Sequence, residues 1–586
     1  MRRYFDYRIV NAARAVPAEA WFVGLIVLVS SLVYALTLCP TVYMGDSGEL
    51  SATAITAGIA HSPGYPLFVI LGFIFSKLIP GAGSALDINL FSAFFGCATL
   101  LLFYGMMRYA DCPRITACAT ALTFGFINPV WSQAVVARVY TLNNALMVGA
   151  LWCLFAYERT GRWRMMQWYA LVLGFGLANN PLSVLTVPVA VCYLFTVPPC
   201  AKLRLKQIIV TPAWLLPGLT LYAYLPLRAL FDPRVHWGKP GIDRSLWRYI
   251  LRSEYTGRQY VQSVSDALEV IRHYLSLLPL EYTAAGCAVI ALGIYISAKK
   301  SMRMTISLFL MYSLNIVLMI AHSPHTDIFF WPRYVLPSFI SVCVWFGFGL
   351  QHISATFLRR RWARIAVFAM PLWLITANFH DNNRSGQYLA FDYGMFILNQ
   401  LPRGAHLVSA GEDTITFSLI YLHRARGIRP DIRLYTPGVV PGEMPPEMPD
   451  GADLFTTRDT LFESVGVACV PYGLVFKVAA PEQEIPQFTD WDVWRVRNLY
   501  TPDIHFDYTA RALLGNYYFM RALNCARSSM EPALEYIHKA LQTGHDVAGV
   551  QYNAGSFLLS QGYTADARRC FERVRAINRH ISIPDI

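Results

Sequence analysis

Near the start of the chain, Gly45-Asp46-Ser47-Gly48-Glu49-Leu50 sets two carboxylates three positions apart, and His61-Ser62-Pro63-Gly64-Tyr65-Pro66 follows after an amphipathic stretch. A carboxylate held beside a hydroxyl can draw off its proton as the oxygen attacks, which is what glycosyl or phosphoryl transfer asks of a general base. The same residues have a structural use, since Asp46 or Ser47 can cap a helix and Asp46 with Glu49 has capping-box spacing. His61 fits either a substrate ligand or an interfacial histidine. Farther along, Asn128-Pro-Val-Trp-Ser-Gln-Ala-Val-Val-Ala-Arg138-Val-Tyr140 carries one guanidinium, Tyr224-Leu-Pro-Leu-Arg228 ends on a second, and Arg333 follows His322-Ser-Pro-His325-Thr-Asp327. Guanidiniums gathered at headgroup level suit a phosphate, to which each can make paired charge-assisted bonds. Taken singly, each also fits snorkelling to the headgroups. Asn179-Asn180-Pro181 interrupts two apolar segments, either as a turn or as a break whose freed backbone groups line a cavity.

The segments that must position these groups are unusually apolar. Of 586 residues, 55% are hydrophobic and 15% charged, against roughly 25% charged in a soluble domain; the missing charge calls for a bilayer. Lys and Arg outnumber Asp and Glu by 49 to 37, with much of the excess in short clusters between apolar runs, a topology signal rather than a nucleic-acid patch. Charge-poor runs at 21–38, 88–107, 115–131, 140–157, 182–198, 208–227, 304–321 and 334–350, and less clean ones at 165–178, 275–297 and 362–378, predict about eleven spans of a core roughly 30 Å thick. Arg2, Arg3, Arg8 and Arg14 precede an apolar stretch with no small-residue cleavage site, which predicts a retained first span and a cytoplasmic N-terminus.

Parity decides the run at 66–79, which as a helix reaches only about 21 Å and contains Lys77. Were it to cross, the cluster Arg159/Arg162/Arg164 would lie outside. Laid in the outer interface instead, it leaves that cluster in the cytoplasm together with Lys202/Arg204/Lys206, Lys299/Lys300/Arg303 and Arg359/Arg360/Arg361/Arg364. Residues 40–87, 132–139, 179–181, 228–274, 322–333 and everything after 379 then face outward, where the chemistry is expected.

Beyond 379 the long apolar runs stop. Short strands are predicted at His406–Ala410, Asp431–Tyr435, Leu454–Thr457 and Leu474–Lys477, alternating with helices, and a surface loop at Pro437–Pro449. Ala533-Leu-Glu-Tyr-Ile-His-Lys-Ala lies 34 residues before Ala567-Arg-Arg-Cys-Phe-Glu-Arg-Val, the tetratricopeptide period; two units either cap the domain before them or bind a partner. The expected architecture is mainly α: a transmembrane domain at 1–378 with outer loops 40–87 and 228–274, a soluble α/β domain at 379–500 on the non-cytoplasmic side, and tetratricopeptide-like helices at 501–586. Most of the 12 cysteines lie in apolar runs and no pair has zinc-site spacing. A phosphate-cradling glycine loop, a serine-hydrolase elbow and a zinc motif are all missing from the sequence.

The order of motifs resembles one family. Thr41 to Leu50 (TVYMGDSGEL), His61 to Phe68 (HSPGYPLF), Trp131 to Asn143 (WSQAVVARVYTLN), Tyr222 to Arg228 (YAYLPLR) with Asp232-Pro233 and His236-Trp237-Gly238, Arg333 to Pro337 (RYVLP), Gly411 to Thr414 (GEDT) and Arg429-Pro-Asp431 are similar to the bacterial relatives of the animal transmembrane protein O-mannosyltransferase that modifies plexin-type receptors. The similarity runs from about residue 20 to the C-terminal helices. It implies a GT-C glycosyltransferase fold, a sugar donor on a polyprenyl phosphate, Asp46 as base with Glu49 as helper, and His61 and Tyr65 lining the site; Tyr140, Asn180 and Trp237 are further substrate-binding candidates. Arg228 and Arg333 would be at hand for the carrier phosphate, and Arg138 is a further substrate-binding candidate. Family members usually carry a glutamate in place of Arg138, a histidine in place of Asn180, a second proline in place of Ser62 and an acid in place of Lys239, which leaves open a changed donor or acceptor, or a loss of activity.

The function expected is inverting, metal-independent transfer of a sugar such as mannose, without a cofactor, to a hydroxyl of an exported protein or envelope glycan. The setting expected is a bacterial inner membrane with the C-terminal part in the periplasm; the partners are the bilayer, the lipid-linked donor and the acceptor, with no nucleic acid. Two rivals stand beside it. A carrier or flippase for a lipid-linked molecule would need ionisable groups inside spans that are nearly free of them, and an inactive scaffold would work through its C-terminal repeats.

Overall fold

A computed structural model describes residues 2–584 except 80–82, 200–204, 254–260, 262, 323–330, 358–362, 411–412, 441, 445–452, 464–466, 480–483, 498 and 500–506. His325, Asp327, Lys202, Arg204, Arg359, Arg360, Arg361, Gly411, Glu412 and part of the Pro437–Pro449 loop therefore lie outside the described residues.

Among the described residues six helices are long and apolar enough to cross a membrane: Glu19–Thr37, Ala85–Tyr109, Leu205–Ala229, Val264–Lys300, Met302–Ala321 and Leu336–Thr356. The five other expected spans do not meet both criteria. Arg114–Phe126 stops at Ile127, and the chain restarts as Asn128–Ala134 behind Pro129. Tyr140–Thr160, Arg164–Asn179, Pro181–Thr196 and Ala369–Asn382 are helical but shorter or more polar. Leu28, Leu32 and Leu36, each more than half exposed, form a stripe along the first helix that suits hydrocarbon better than water. Leu336–Thr356 lies inside instead, with 83% of its apolar window buried. It crosses Val264–Lys300 so closely that a Cβ on Gly349 would sit 2.0 Å from the Val289 carbonyl oxygen, the small-residue contact that membrane helices use to approach. The run at 66–79 forms the short helix Pro66–Leu78.

Outside these helices five strands make a mixed sheet of order β2-β1-β3-β5-β4. Here β1 is His406–Val408, β2 Arg433–Tyr435, β3 Leu454–Thr456, β4 Ala468–Tyr472 and β5 Val475–Ala479. β1 runs parallel to β2 and β3, while β5 is antiparallel to β3 and β4. Two helix pairs follow, Tyr508–Ala526 with Met530–Thr543 and Ala548–Ser560 with Thr564–Ile577. Ala522, Ile537, Ala554, Leu558, Ala567, Cys570 and Phe571 fill the space between them.

The extramembrane part is not hung on a linker. One continuous core runs from Ile26 in the first helix to Val550, with no break near 379. Polar anchors reinforce it. Asp507 caps helix Tyr508–Ala526 through the Thr509 and Ala510 amides, accepts a hydrogen bond from the Tyr43 hydroxyl of the first outer loop, and lies 3.6 Å from Arg384. Asp392, fully buried, accepts from the Arg497 guanidinium at 2.7 Å and from its amide at 2.9 Å.

Candidate active site

The first outer loop turns at Gly45, whose φ of +62° is left-handed and costs a glycine little. Helix Ser47–Thr56 begins directly after it, so Asp46 occupies the N-cap position, yet its side chain makes no capping bond. The carboxylate turns away instead. Oδ2 accepts from Arg333 Nη1 at 2.8 Å and lies 3.1 Å from Arg138 Nη1. Arg138 is itself buried and donates through Nη2 to the Met44 carbonyl at 3.1 Å, while its amide donates to Ser92 Oγ. Three segments far apart in sequence thus converge on one carboxylate. Burial, the largest single influence on Asp46, favours its neutral acid; the charges of Arg333 and Arg138, followed by His61 and Arg252, outweigh it and hold the carboxyl below its usual range.

One helical turn on, Glu49 is 2% exposed and fully engaged. It accepts from the His61 amide at 2.5 Å through Oε1, while Oε2 lies 2.5 Å from His61 Nδ1. With that side of the ring held, Nε2 faces the Tyr65 hydroxyl at 3.0 Å. Trp237 meets the ring edge-on at 5.5 Å. Burial opposes the imidazolium, but the Glu49 charge and hydrogen bond, with Asp46 behind them, raise the His61 pKa above its ordinary value.

The remaining expected residues divide. Tyr140 packs edge-on to Tyr334 at 6.2 Å, and Arg333 lies over the Tyr334 ring, so both stand beside the Asp46 cluster. Asn180 accepts from the Leu182 amide at 2.9 Å, and its neighbour Asn179 donates to the Val139 carbonyl at 3.0 Å. That break in the spans therefore pins the loop carrying Arg138 and Tyr140. Arg228 is not brought to Asp46. Its Nε donates to the Ala57 carbonyl at 2.5 Å, at the far end of the loop helix and about 15 Å away along its axis; there, with Tyr224 donating to the Gly58 carbonyl, it fixes the exit of that helix.

Two further residues reach the site unpredicted. Arg252, from the 228–274 loop, adds positive charge felt by Asp46, His61 and Tyr65. Asp413 arrives on helix Asp413–Leu419 of the extramembrane part. Its neighbour Thr414 accepts from the Gly45 amide through Oγ1 at 3.2 Å, and a Cβ on Gly48 would lie 2.7 Å from the Phe417 backbone. Phe417 also packs on Trp237 with ring centroids 5.3 Å apart. Among the described residues no group of three or more His, Cys, Asp or Glu side chains gathers as metal ligands.

The arrangement can hold an anion against two guanidiniums while a carboxylate faces an incoming hydroxyl. Comparison with known proteins finds the following similarities. Residues 46–201 match the family model of the protein O-mannosyl-transferase TMEM260 N-terminal domain. The chain is 25% identical over 456 residues to protein O-mannosyl-transferase tmem260 of Dictyostelium discoideum, covering 69% of this chain and 55% of that protein. It is 27% identical over 436 residues to the Mus musculus protein O-mannosyl-transferase TMEM260, covering 69% and 60%. It thus spans little more than half the length of these relatives. Among solved structures, apo ArnT from Cupriavidus metallidurans superposes with a TM-score of 0.52 over 79% of this chain and all of that one, at 13% identity, a likeness of fold.

Proposed function

We propose that this chain, a relative of the TMEM260 protein O-mannosyltransferases with the GT-C fold of ArnT, moves a sugar such as mannose from a polyprenyl phosphate to a hydroxyl on an exported protein or envelope glycan. The observation that carries the reading is the carboxylate of Asp46 held between Arg138 and Arg333 at the mouth of the first outer loop. A lipid-linked monophosphate entering there draws both guanidiniums toward the leaving phosphate while they stay beside Asp46 and keep it ionised. Asp46 then draws on the acceptor hydroxyl, the oxygen attacks the anomeric carbon from the face opposite the phosphate, and inversion follows. Glu49 and His61 hold Tyr65 and Trp237 as a wall of the sugar site. A monophosphate leaves with less charge than a diphosphate, and the two guanidiniums are the cations assigned to it, so turnover is expected to persist in EDTA.

The test is transfer of radiolabelled sugar from polyprenyl phosphate into a membrane or periplasmic extract by the purified full chain in detergent. Wild type is expected to label the extract, and Asp46→Asn to lose at least about a hundredfold in rate. Label transport into liposomes without transfer would favour a carrier, and partner capture unaffected by Asp46→Ala would favour a scaffold.

A further inference from the structure

Asp46 is well placed to begin proton removal and poorly suited to finish it. A carboxylate paired with two guanidiniums stays ionised through the neutral range, so it polarises a hydroxyl without keeping the proton. The site needs a second acceptor, and the fold brings one. Asp413 stands at the start of helix Asp413–Leu419, whose docking onto the first outer loop is fixed at three points: the Gly45 amide on Thr414 Oγ1 at 3.2 Å, the Gly48 backbone against that of Phe417, and the Phe417 ring on Trp237. The residues adjoining the two carboxylates, Gly45 and Thr414, are therefore bonded to each other. Among the described residues Asp413 has no hydrogen-bonded or ion-paired partner, and it is open to solvent.

We infer that Asp413, supplied by the extramembrane part of the chain, is a further catalytic residue of the proposed transfer and receives the acceptor's proton. The inference rests on the transferase reading above. In the step, the acceptor O–H bond breaks and its proton passes to an Asp413 carboxylate oxygen. The acceptor oxygen forms the bond to the anomeric carbon, and the carbon–phosphate oxygen bond breaks with its electron pair leaving on the phosphate, beside Arg138 and Arg333. Asp46 orients the hydroxyl and remains an anion throughout. The charged groups facing Asp413 are Asp46 and Glu49 on the loop helix, His61 after it, and Arg333. Burial and the two carboxylates push the Asp413 carboxyl up to about 6, against the pull of His61 and Arg333. Because the residue is open to water, the facing carboxylates are the firmer cause. A carboxylate in that range holds a proton briefly and returns it to water near neutral pH.

The experiment compares pH–rate profiles of the full chain in detergent, with polyprenyl-phosphate [14C]mannose as donor and a periplasmic extract as acceptor. Wild type is expected to rise through about pH 6 and level off. Asp413→Asn should lose at least about tenfold in rate at the plateau and should also lose the acid limb, while Asp413→Glu recovers part of both. Matched thermal unfolding of the variants separates this from misfolding. An Asp413→Asn protein with wild-type rate and limb overturns the assignment and leaves the transferase reading standing; so does one that is slower yet keeps the limb, which would make Asp413 a contact only. A wild type that transfers nothing, shown to be folded, overturns the transferase reading and this inference with it.

Discussion

Asp46 and Glu49 lie one turn apart on the same short segment, and the structure puts them to opposite uses. Glu49 is closed off, at 2% exposure, and its partner His61 comes from 12 residues away and is held at both its amide and its ring. Asp46 is a quarter exposed, and its partners Arg138 and Arg333 come from two distant loops and bind by side-chain tips alone. A pair of the first kind is part of the framework, because breaking it strands a buried charge. A pair of the second kind can be shared: an incoming phosphate is a second anion for the same guanidiniums. Spacing alone treats the two acids alike, and burial and the origin of the partners separate them.

The largest effect expected on stability follows from that contrast. Glu49→Ala removes the anion from a buried imidazolium pair and should cost about 3–5 kcal/mol, read as a fall in the unfolding midpoint in detergent. Asp46→Asn should cost less, because the side chain is a quarter exposed and the amide oxygen still accepts from the two guanidiniums, while activity falls far more. Equal losses of stability would erase the distinction.

Next comes the joint between the loop and the extramembrane part. A methyl group added at Gly48 meets the Phe417 backbone at 2.7 Å, and overpacking of this kind costs roughly 1–3 kcal/mol. Gly48→Ala should therefore lower transfer together with the protection of residues 413–419 from proteolysis or hydrogen exchange, leaving the membrane helices intact. An unchanged exchange pattern would mean that the two parts are less tightly joined than their shared core implies.

A smaller effect is set by pH. His61 has a raised pKa in the folded protein, so its pairing with Glu49 contributes fully below the unfolded value of about 6.5 and is lost as pH rises through the folded value. The unfolding midpoint of wild type should decline across that window, and His61→Asn should flatten the decline. A midpoint that instead climbs there would place the proton elsewhere in the pair.

What was legible beforehand follows the same physical line. Residue type and spacing singled out Asp46 and Glu49 as a carboxylate pair beside a predicted span and left His61 open between two uses, and the structure sets His61 on Glu49. Parity also anticipated the short helix at Pro66–Leu78, since loop charge is counted from sequence. Strands β1, β2, β3 and β5 fall on or overlap stretches rich in β-branched and aromatic residues, whereas β4 passed unseen: it contains Pro471 and is half exposed, as an edge strand tolerates. The side chains that complete the site were not legible. Helix Asp413–Leu419 meets the loop carrying Asp46 across more than 360 residues, through the Thr414 hydroxyl on the Gly45 amide and the Phe417 backbone against Gly48, and no periodicity encodes such a meeting. The helix-cap reading of Asp46 gave way for the same reason, its rival partners being remote.

The smallest expected effect sharpens the division among the arginines. From the sequence Arg228 and Arg333 were equivalent candidates for a phosphate. In the structure Arg333 reaches Asp46 while Arg228 donates to the Ala57 carbonyl at the opposite end of the loop helix. Removing Arg228 leaves one partly buried carbonyl unsatisfied, worth about 1–3 kcal/mol at most, and removes nothing from the place where phosphate charge would develop. Arg228→Ala is therefore expected to lower the unfolding midpoint slightly and to leave the KM for the lipid-linked donor within about twofold, whereas Arg333→Ala should raise that KM or depress kcat by roughly a hundredfold or more. Measured side by side over a range of donor concentrations, a matching rise in KM for Arg228→Ala would bring that residue back to the phosphate. It would also mean that the loop helix moves by most of its length on binding, because nothing shorter would bridge the gap between its two ends.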